Sequence, residues 1–569
     1  MVEWDYLEGA NPYPPEVIKE YVDKGWWKNR TYGDILDRSA ATYPDNIAVI
    51  DDRTQLTYVQ LKEKVDRLAI ALHERGVRKY DRLLIQLPNR HEFIVAFYAM
   101  HRIGAVPVLV IPRHEYREVY HLFKLTEPVE WFIPMRDGPR DFRPLIERMR
   151  SEAKSLRYLI MVEDGVPLDA GMLSMEELIA GVNLSDYLDD YLQQFQPDPN
   201  DVALILPTGG TTGLPKGVPR THNSYLAGIG VAQKPTKPND VFGLATPIGH
   251  GLAQQGPVGS LMKGATLVLI SIPRARDIME AIQKYKIKRM ALVPTLLEDI
   301  LTHPDIERYD LSSLENLVST GASLRPETAK KAKEFFTGIG DGFKGSVFGS
   351  SEGPCATHYP DEPPEVFLKS IGRPMHEGDH WKALDDLEKE LPPNTEGELA
   401  ARGPLVFTGY YKSEVENKRI FTKDGYYKMG DLGMINEAGN IFITGRKKDI
   451  IQRGGESVIP SEIENLLHLH PAIEASAVVA MPDPRLGEKA CAYITLRPGN
   501  DLSLEKVAGF LREHGAGKLL IPERLEILDD MPRTLVGKVD KKALRRDIEE
   551  KVEREAEDGT YEVIKGEVI

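Results

Sequence analysis

Short apolar runs alternate with amphipathic stretches along the first three quarters of the chain. Leu83–Leu87 is an apolar run suited to a buried strand, and Asn89 stands where the N-cap of a following helix is expected. Gly104 ends that helix, and Val106–Ile111 is predicted to form the next strand. The helix carries apolar residues at helical spacing, at Phe93, Phe97 and Met100. A strand, a helix and a strand in this order indicate a βαβ unit and hence a parallel sheet.

The same alternation recurs further along the chain. Apolar runs that predict buried strands lie at Ala203–Leu206, Thr266–Ile270, Met290–Val293 and Leu317–Ser319. Amphipathic stretches that predict helices lie at Asp277–Tyr285 and Pro326–Phe336. We therefore predict an α/β fold, with a large N-terminal domain of stacked sheets and helices over residues 1–447.

The pattern changes after residue 446, where a small α+β C-terminal domain is predicted over residues 448–569. Ser461 and Glu464 have the spacing of a capping box at the start of a short helix. The other predicted elements are strands at Ala475–Ala480, Cys491–Leu496 and Arg524–Leu528 and a helix at Leu504–His514. The acidic stretch Ile548–Ile569 is predicted to be a charged, solvated tail.

Composition narrows the possible classes of protein. The chain has 569 residues, 41% hydrophobic and 28% charged, as expected of a globular protein. The net charge of −15 opposes general nucleic-acid binding. Two cysteines exclude a disulfide framework and a cysteine-based zinc site as organising features. The N-terminus lacks a signal-peptide pattern and no apolar run approaches the roughly 20 residues that span a bilayer, so we expect a cytoplasmic protein without a membrane span.

The most informative segment, residues 208–217, has the sequence TGGTTGLPKG and follows a predicted buried strand. Its glycines allow the backbone to approach a ligand closely, its hydroxyls donate to anionic oxygens, and Lys216 adds a positive charge. It is not a Walker A loop, because it lacks Gly-Lys-Ser/Thr and because Pro215 and Pro219 oppose a helix there. A polar surface hairpin is the ordinary alternative, but the full spacing favours a phosphate-binding loop.

Five further segments follow this loop: GAS at residues 321–323, VFGSSEG at 347–353, YKMGDL at 427–432, GRKKD at 445–449 and PRTLVGKV at 532–539. In this order and spacing they resemble the motifs of the adenylate-forming superfamily, which includes acyl- and aryl-CoA synthetases, peptide-synthetase adenylation domains and firefly luciferase. The resemblance spans nearly the whole chain. The departures from the family pattern include Gly209 in place of serine, Ser351 in place of threonine and Lys448 in place of the hinge aspartate.

The resemblance implies binding of ATP and Mg²⁺. Phe348 would stack on adenine, Ser351 would contact the α-phosphate, and Glu352 would hold Mg²⁺, a cation that prefers oxygen ligands. Asp431 and Arg446 would bind the ribose. The full set of implied nucleotide-binding residues is Thr208, Gly209, Gly210, Thr211, Thr212, Gly213, Gly321, Ala322, Ser323, Phe348, Gly349, Ser350, Ser351, Asp431 and Arg446.

The resemblance also implies an acid-activating reaction in two steps. Lys538 would contact the carboxylate and the α-phosphate during adenylation, and Lys216 would neutralise the leaving pyrophosphate. The C-terminal domain would then rotate about a hinge at Lys448. The rotation would present a loop to the thiol acceptor, formed by Gly454, Gly455 and Glu456.

Within the superfamily the chain most resembles 2,3-dihydroxybenzoate–AMP ligases and benzoate-type CoA ligases. The acid pocket that this implies comprises Tyr225, His250, Gly251, Gly256, Thr320 and Val347, with His250 where the carboxylate enters. Dihydroxybenzoate enzymes have asparagine and serine where this chain has Gly251 and Gly256. Hydrogen bonds to a catechol would be missing, so an aromatic or alicyclic acid without a catechol is expected.

The thiol acceptor stays open at this point. We expect a stand-alone chain without an appended carrier domain, which leaves coenzyme A or a separate carrier protein, and we favour coenzyme A. Lys447, Lys448 and Arg453 are candidates to meet its nucleotide phosphate. The alternatives are a stand-alone enzyme that loads a carrier protein and a non-catalytic nucleotide-binding regulator. A monomer or a homodimer is expected.

Overall fold

The computed structural model describes residues 5–162, 167–188, 190–209, 214–232, 236–251, 253, 259–322, 324–336, 342–454, 456–534 and 538–557. The chain divides into two compact units. The first comprises Met1–Trp381 with Ala401–Tyr427, and the second comprises Lys382–Ala400 with Lys428–Ile569. Strands that lie largely within residues 382–400 and 428–447 pair in one sheet, and both segments belong to the second unit, so this division falls before the predicted boundary at 447/448. The hinge at Lys448 concerns motion and stays a prediction.

The strands that lie in the first unit are β1 (Ile47–Ile50), β2 (Gln55–Thr57), β3 (Arg82–Ile85), β4 (Val106–Leu109), β5 (Glu130–Ile133), β6 (Arg136–Asp137), β7 (Arg140–Asp141), β8 (Tyr158–Met161), β9 (Met172–Ser174), β10 (Val202–Gly209), β11 (Pro215–Thr221), β12 (Val241–Leu244), β13 (Thr266–Leu269), β14 (Arg289–Leu292), β15 (Asn316–Thr320), β16 (Phe343–Gly349), β17 (Cys355–Thr357) and β18 (Arg373–Pro374). One sheet has the order β18-β17-β16-β15-β14-β12-β13-β1-β2 and another the order β11-β10-β4-β3-β5-β8-β9. The middle strands of both sheets are parallel, and β6 pairs only with β7.

The helices of the first unit are α1 (Pro15–Asp23), α2 (Tyr32–Thr42), α3 (Tyr58–Glu74), α4 (His91–Arg102), α5 (Tyr116–Thr126), α6 (Arg143–Glu152), α7 (Met175–Ala180), α8 (His222–Ala232), α9 (Ala275–Tyr285), α10 (Pro294–Leu301), α11 (Pro326–Phe336), α12 (Pro364–Lys369) and α13 (Glu414–Ile420). Every residue of α4 from Glu92 to Arg102 is buried, so this helix lies in the interior. The predicted βαβ unit is confirmed by β3, α4 and β4, with β3 and β4 parallel.

The predicted N-cap at Asn89 is wrong. Arg90 is the N-cap residue of α4, and it makes no side-chain cap. The Asn89 amide instead donates to the carbonyls of Leu244, Thr246 and Ile270. These carbonyls are far away in sequence, so local pattern could not reveal them.

Four strands, most of whose residues fall in the second unit, form one sheet in the order β19 (His380–Leu384), β20 (Gly397–Arg402), β21 (Tyr427–Ile435) and β22 (Ile441–Arg446). A further sheet of the second unit contains β23 (Ile451–Arg453), β24 (Glu456–Val458), β25 (Ile473–Asp483), β26 (Gly487–Leu496) and β27 (Arg524–Leu528). Its long antiparallel pair β25–β26 carries β27 parallel to β26. The helices here are α14 (Pro460–Leu467), α15 (Leu504–Glu513) and α16 (Lys541–Glu557). The predicted α+β character is confirmed.

Two local predictions in the second unit are wrong. Ile459, not Ser461, is the N-cap residue of α14, because the Ser461 hydroxyl donates to the Thr444 carbonyl. Glu464 accepts from the backbone N–H of Val478, which ties the helix to β25. The tail prediction is wrong for residues 548–557, which belong to helix α16 with Ile548 fully buried, although most of the helix residues after Ile548 are exposed. Residues 558–569 lie outside the described part of the chain.

Among the residues that the structure describes, no helix combines the length and the apolar character that crossing a membrane requires.

The buried face of α16 gives a testable prediction. Ile548 packs with Leu544, Tyr493 and Met531 in one cluster of the second unit. Ile548→Ala should lower the free energy of unfolding by about 2–5 kcal/mol, because it removes buried methyl groups and leaves a cavity. Urea denaturation followed by circular dichroism measures this change. Glu549→Ala, at the neighbouring exposed position, is the control, and its free energy of unfolding should stay within about 0.5 kcal/mol of the wild-type value. Equal stability of the two variants would contradict the packing described.

Candidate active site

The predicted phosphate-binding loop connects two antiparallel strands. In the β10–β11 hairpin Thr208 pairs with Lys216 and Gly209 pairs with Pro215. The expectation that no helix begins at this loop is therefore confirmed. The hairpin fixes both ends of the loop, while four of its predicted nucleotide-binding residues lie outside the described part of the chain, namely Gly210, Thr211, Thr212 and Gly213.

A tyrosine links the loop lysine to the predicted metal-binding carboxylate. The Lys216 ammonium lies 4.7 Å from the centre of the Tyr410 ring and pairs with the Glu416 carboxylate. The Tyr410 hydroxyl donates to Glu352 Oε1 at 2.8 Å. Burial, and then the Glu352 charge, raise the pKa of Tyr410, so this hydroxyl stays a donor. Tyr410 and Glu416 were not predicted from the sequence, because they lie about two hundred residues from Lys216 in the chain.

The VFGSSEG segment ends β16 and turns back into β17. The Phe348 ring lies 5.9 Å from the Trp381 ring in an edge-on arrangement. Gly349 pairs with Cys355, and the Ser350 N–H donates to the Pro354 carbonyl. Gly353 has a φ of +118°, and a Cβ there would lie 1.7 Å from the Leu405 carbonyl oxygen, so only glycine fits. This close approach holds the half-buried Ser351 and the buried Glu352 in one place.

The GAS turn follows β15 as predicted. Gly321 has a φ of +89°, a left-handed conformation that glycine adopts without strain. Ala322 is exposed, and Ser323 lies outside the described residues. The Thr320 hydroxyl donates to the Val347 carbonyl at 2.9 Å. The Thr320 hydroxyl therefore already donates its proton within the protein.

Asn89 and Tyr225 fix the segment that carries His250. The Asn89 amide donates to the Thr246 carbonyl at 3.0 Å, and its Oδ1 accepts from the Ile248 N–H at 2.8 Å. The Tyr225 hydroxyl donates to the Gly251 carbonyl at 2.5 Å. Burial raises the pKa of Tyr225, so this donor is kept. His250 is half-buried between these two attachments, and Gly256 lies outside the described residues.

Arg220 joins the predicted acid and nucleotide segments within the first unit. Its buried guanidinium donates to the carbonyls of Ser351 at 2.9 Å and Leu405 at 2.6 Å, and lies 5.1 Å from the Tyr225 ring. Gly251 lies close to Ser351, since a Cβ on Gly251 would be 3.1 Å from Ser351 Oγ. The structure thus brings together Tyr225, Gly251 and Ser351, which the sequence assigned to two different substrates.

A cavity of about 750 Å³ lies in the first unit. Of the predicted acid-pocket residues that the structure describes, Thr320 and Val347 line it, whereas Tyr225, His250 and Gly251 do not. Thr246 and Ala253, which flank His250 in sequence, line it as well. All of its described lining belongs to the first unit. The cavity is therefore the candidate acid-binding site.

The two predicted ribose ligands meet in the second unit. Asp431 on β21 pairs with Arg446 on β22 in the sheet register, and Arg446 Nε lies 2.6 Å from Asp431 Oδ1. Asp431 is buried and Arg446 is half exposed. A carboxylate that a guanidinium orients in this way suits a diol, whose hydroxyls donate to carboxylate oxygens.

The cations near the predicted hinge are mostly paired with carboxylates. Lys447 pairs with Asp386 and Glu398, and Arg453 pairs with Glu523. Burial lowers the pKa of Lys448. This lysine lies in a single 3-10 helical turn that comprises Lys447–Asp449. In the acceptor loop Gly454 has a φ of +60° and Glu456 is exposed, whereas Gly455 lies outside the described residues.

Lys538 is exposed in the second unit and is hydrogen-bonded through its backbone to Thr534. The Thr534 N–H donates to the Lys538 carbonyl at 2.6 Å, and the Lys538 N–H donates to the Thr534 hydroxyl at 3.2 Å. Arg533 and Val539 form a bridge beside it. The lysine is thus held on a defined backbone with its side chain in solvent. Its chemical role stays a prediction.

The chain matches two families of known proteins. Residues 36–411 match the family described as AMP-binding enzyme, and residues 462–538 match the AMP-binding enzyme C-terminal domain. The chain is 35% identical to a 2,3-dihydroxybenzoate-AMP ligase of Bacillus subtilis, over 96% of this chain and 99% of that protein. The expected resemblance to this type of ligase is confirmed.

Two further relatives carry names that mention the acceptor. A salicylyl-CoA synthase / salicylate adenylyltransferase of a Streptomyces species is 34% identical over 95% of this chain and 97% of that protein. A salicyl-AMP ligase / salicyl-S-ArCP synthetase of Mycobacterium tuberculosis is 34% identical over 95% of each chain. Among solved structures, the apo structure of MbtA from Mycobacterium smegmatis has a TM-score of 0.70 at 34% identity, over 95% of this chain and 99% of that one.

The contacts of Asn89 give a prediction that requires no assay of activity. Asn89→Leu keeps a side chain of similar size and should lower the free energy of unfolding by about 1–3 kcal/mol, since it leaves buried carbonyls and the Ile248 N–H without partners. Hydrogen exchange at the Ile248 amide should accelerate more than at residues remote from it. Asn183→Leu, at an exposed position, serves as the control. A protected Ile248 amide in the Asn89 variant would contradict the role assigned to Asn89.

Proposed function

Since the chain belongs to the family of AMP-binding enzymes, we propose that it activates an aromatic or alicyclic carboxylic acid and transfers it to the thiol of a carrier protein. The chain is an enzyme of the AMP-forming ligase type, and the family supports ATP as a substrate. One arrangement carries the proposal: in the first unit a lysine of the glycine-rich hairpin, a tyrosine and a buried glutamate lie in contact.

The first step joins the acid to AMP. A carboxylate oxygen attacks the α-phosphorus of ATP, a new oxygen–phosphorus bond forms, and the bond from that phosphorus to the pyrophosphate oxygen breaks. Two anions must approach each other, so stabilisation of charge and positioning supply most of the catalysis. We assign Lys538 to the carboxylate and the α-phosphate, and Lys216 to the leaving pyrophosphate. Asp431 and Arg446 are assigned to the ribose.

Glu352 fits a Mg²⁺ ligand. Tyr410 holds one of its carboxylate oxygens and so orients the group, and Mg²⁺ prefers one or two carboxylates together with phosphate oxygens. When bound, the cation would neutralise charge on the phosphates. The protein's own contribution is to keep Glu352 buried and oriented beside the end of β16.

In the second step the acceptor thiol gives up its proton and its sulfur attacks the acyl carbon. A carbon–sulfur bond forms, the carbon–oxygen bond to AMP breaks, and AMP leaves. We assign Gly454, Gly455 and Glu456 to the surface that meets the acceptor, with motion of the C-terminal domain about Lys448. The acyl-adenylate would stay bound to the first unit while this motion brings the acceptor surface into use.

The pairing of surface cations favours a carrier protein over coenzyme A. Both acceptors present the same pantetheine thiol, but coenzyme A adds a nucleotide with a phosphate. Lys447 and Arg453, which the sequence offered for that phosphate, are already bound to carboxylates. We therefore propose a carrier protein as the acceptor, in place of the coenzyme A that the sequence favoured. Coenzyme A stays as the second candidate because the name of one relative includes it.

The acid is proposed to lack a catechol. Gly251 offers no side chain, and an added Cβ would press against Ser351. The Thr320 hydroxyl is bound to the Val347 carbonyl. A site built to hold ring hydroxyls needs polar side chains. Gly251 supplies none, and the Thr320 hydroxyl, whose proton is already donated, has only its oxygen left to accept a hydrogen bond.

The assignment of Lys538 to adenylation gives one prediction. Lys538→Ala should reduce acid-dependent ATP–pyrophosphate exchange by about a hundredfold or more, because it removes a charge from the proposed transition state. Thioester formation from a pre-made acyl-adenylate should continue. Lys542→Ala, which removes an exposed lysine of the same segment, is the matched control and should keep exchange. Exchange that survives in the Lys538 variant would refute this assignment, and exchange in either protein would refute the regulator alternative, which predicts none.

The proposed carrier-protein acceptor gives another prediction. Wild-type protein, ATP and an active acid should give thioester on an aryl carrier protein about tenfold or more efficiently than on coenzyme A, which corresponds to about 1.4 kcal/mol in the transition state. Gel-shift analysis of the carrier and chromatography of acyl-coenzyme A measure the two products. Carrier protein without its pantetheine arm is the control. Equal or better transfer to coenzyme A would contradict the proposed acceptor and leave the adenylation step untouched.

A further inference from the structure

Lys216 carries its charge in a mostly buried position, where one carboxylate compensates it. Only 15% of its side chain is exposed, and its ammonium pairs with the Glu416 carboxylate of α13. The same ammonium lies 4.7 Å from the centre of the Tyr410 ring. Among the residues that the structure describes, Glu416 is the one carboxylate that forms an ion pair with this lysine. A buried charge requires such a partner, so the pair holds Lys216 in place before any ligand binds.

The residue after Glu416 fixes helix α13 against Tyr410. The Tyr410 N–H donates to Asn417 Oδ1 at 2.7 Å, and the Asn417 amide donates to the Tyr410 carbonyl at 2.9 Å. Gly409 has a φ of +134°, and a Cβ there would lie 2.8 Å from the Asn417 side chain, so glycine allows this close contact. The backbone that carries Glu416 therefore has a defined position beside Tyr410.

The ion pair and the proposed leaving group require the same ammonium. Lys216 is assigned to the pyrophosphate that leaves the α-phosphorus, and the phosphate oxygens attract it as the Glu416 carboxylate does. When a phosphate binds, the attraction between Lys216 and Glu416 must be given up wholly or in part. Glu416 is 38% exposed, so water can solvate its carboxylate once the lysine has turned to a phosphate. The binding of ATP therefore acts against the ion pair.

We propose that Glu416 is a positioning residue that competes with the phosphates of ATP, and with pyrophosphate, for Lys216. The inference rests on the proposed function, because it names the group that regulates the lysine assigned to the leaving pyrophosphate. In the empty protein the carboxylate holds the lysine at the end of the glycine-rich hairpin. In the loaded protein it lowers the affinity for both phosphate ligands. Weaker binding of pyrophosphate favours its departure, and release of product can limit turnover.

Binding of ATP to a charge-neutral variant tests this inference. Glu416→Gln keeps the shape of the side chain and removes its charge. The dissociation constants of ATP and of pyrophosphate, measured by calorimetry with Mg²⁺ and without an acid, should fall about fivefold or more, because Lys216 is left without its counter-ion. Glu414→Gln makes the same change at an exposed position of α13 and is the control, with an expected change within about twofold. Glu416→Asp, whose carboxylate is withdrawn by one methylene, should give a smaller gain of the same sign.

A double-mutant cycle tests whether Glu416 acts through Lys216. In the Lys216→Met background, Glu416→Gln should change the dissociation constant of ATP by less than about twofold, because the competing partner is absent. In the exchange assay, Glu416→Gln should lower KM for pyrophosphate by the same factor as the dissociation constant and should not raise kcat. Urea denaturation of each variant, with and without ATP, shows that it is folded. A merely structural role of Glu416 would lower the stability without tightening the binding of ATP.

The outcomes separate the inference from the proposed function. ATP binding that is unchanged or weaker in Glu416→Gln would overturn the inference and leave the proposed function standing. A gain that persists in the Lys216→Met background would do the same, since Glu416 would then act on the phosphates without the lysine. Tighter binding of ATP by Glu416→Gln together with no acid-dependent exchange by the wild-type chain would refute the proposed function and retain the competition for Lys216. Absence of ATP binding to the wild-type chain would refute both.

Discussion

One buried guanidinium holds the candidate site of the first unit together. Arg220 leaves β11 beside the glycine-rich hairpin and binds the carbonyls of Ser351 and Leu405, which belong to distant segments of the chain. Buried carbonyls need donors, and a buried arginine needs acceptors, so each group fixes the other. The Tyr225 ring lies against the same guanidinium, and its hydroxyl reaches the segment of His250. The positions of the predicted acid and nucleotide residues therefore depend on one polar side chain.

The same rule explains the charges elsewhere in the two units. Lys216 is held between a tyrosine ring and a carboxylate, and Asp431 is held by Arg446. Such pairs offset part of the cost of placing charges in partly buried positions, where an isolated charge would be costly. They also decide which cations can bind a substrate phosphate. In the second unit the carboxylates that bind Lys447 and Arg453 leave less positive charge for a nucleotide at the acceptor surface.

Local patterns predicted the elements well and the site contacts poorly. The helix at Pro326–Phe336 and the strand at Arg524–Leu528 have the predicted bounds, because apolar periodicity is a local property. The ordered motifs located Glu352 and Asp431 through a resemblance. Asn89 was mistaken for a helix cap, because its true acceptors lie more than 150 residues away. The sequence did not identify Arg220, Tyr410 and Glu416 as site residues for the same reason. Their partners become neighbours only in the folded chain.

The direct test of the account is acid-dependent ATP–pyrophosphate exchange by the wild-type chain over a panel of aromatic, alicyclic and dihydroxylated aromatic acids. The account predicts that labelled pyrophosphate enters ATP only when an acid is present, and that aromatic or alicyclic acids without a catechol support the fastest exchange. Absence of exchange with every acid, under conditions in which ATP binds, would contradict adenylation. Fastest exchange with dihydroxybenzoate would contradict the assignment of Gly251 and Thr320.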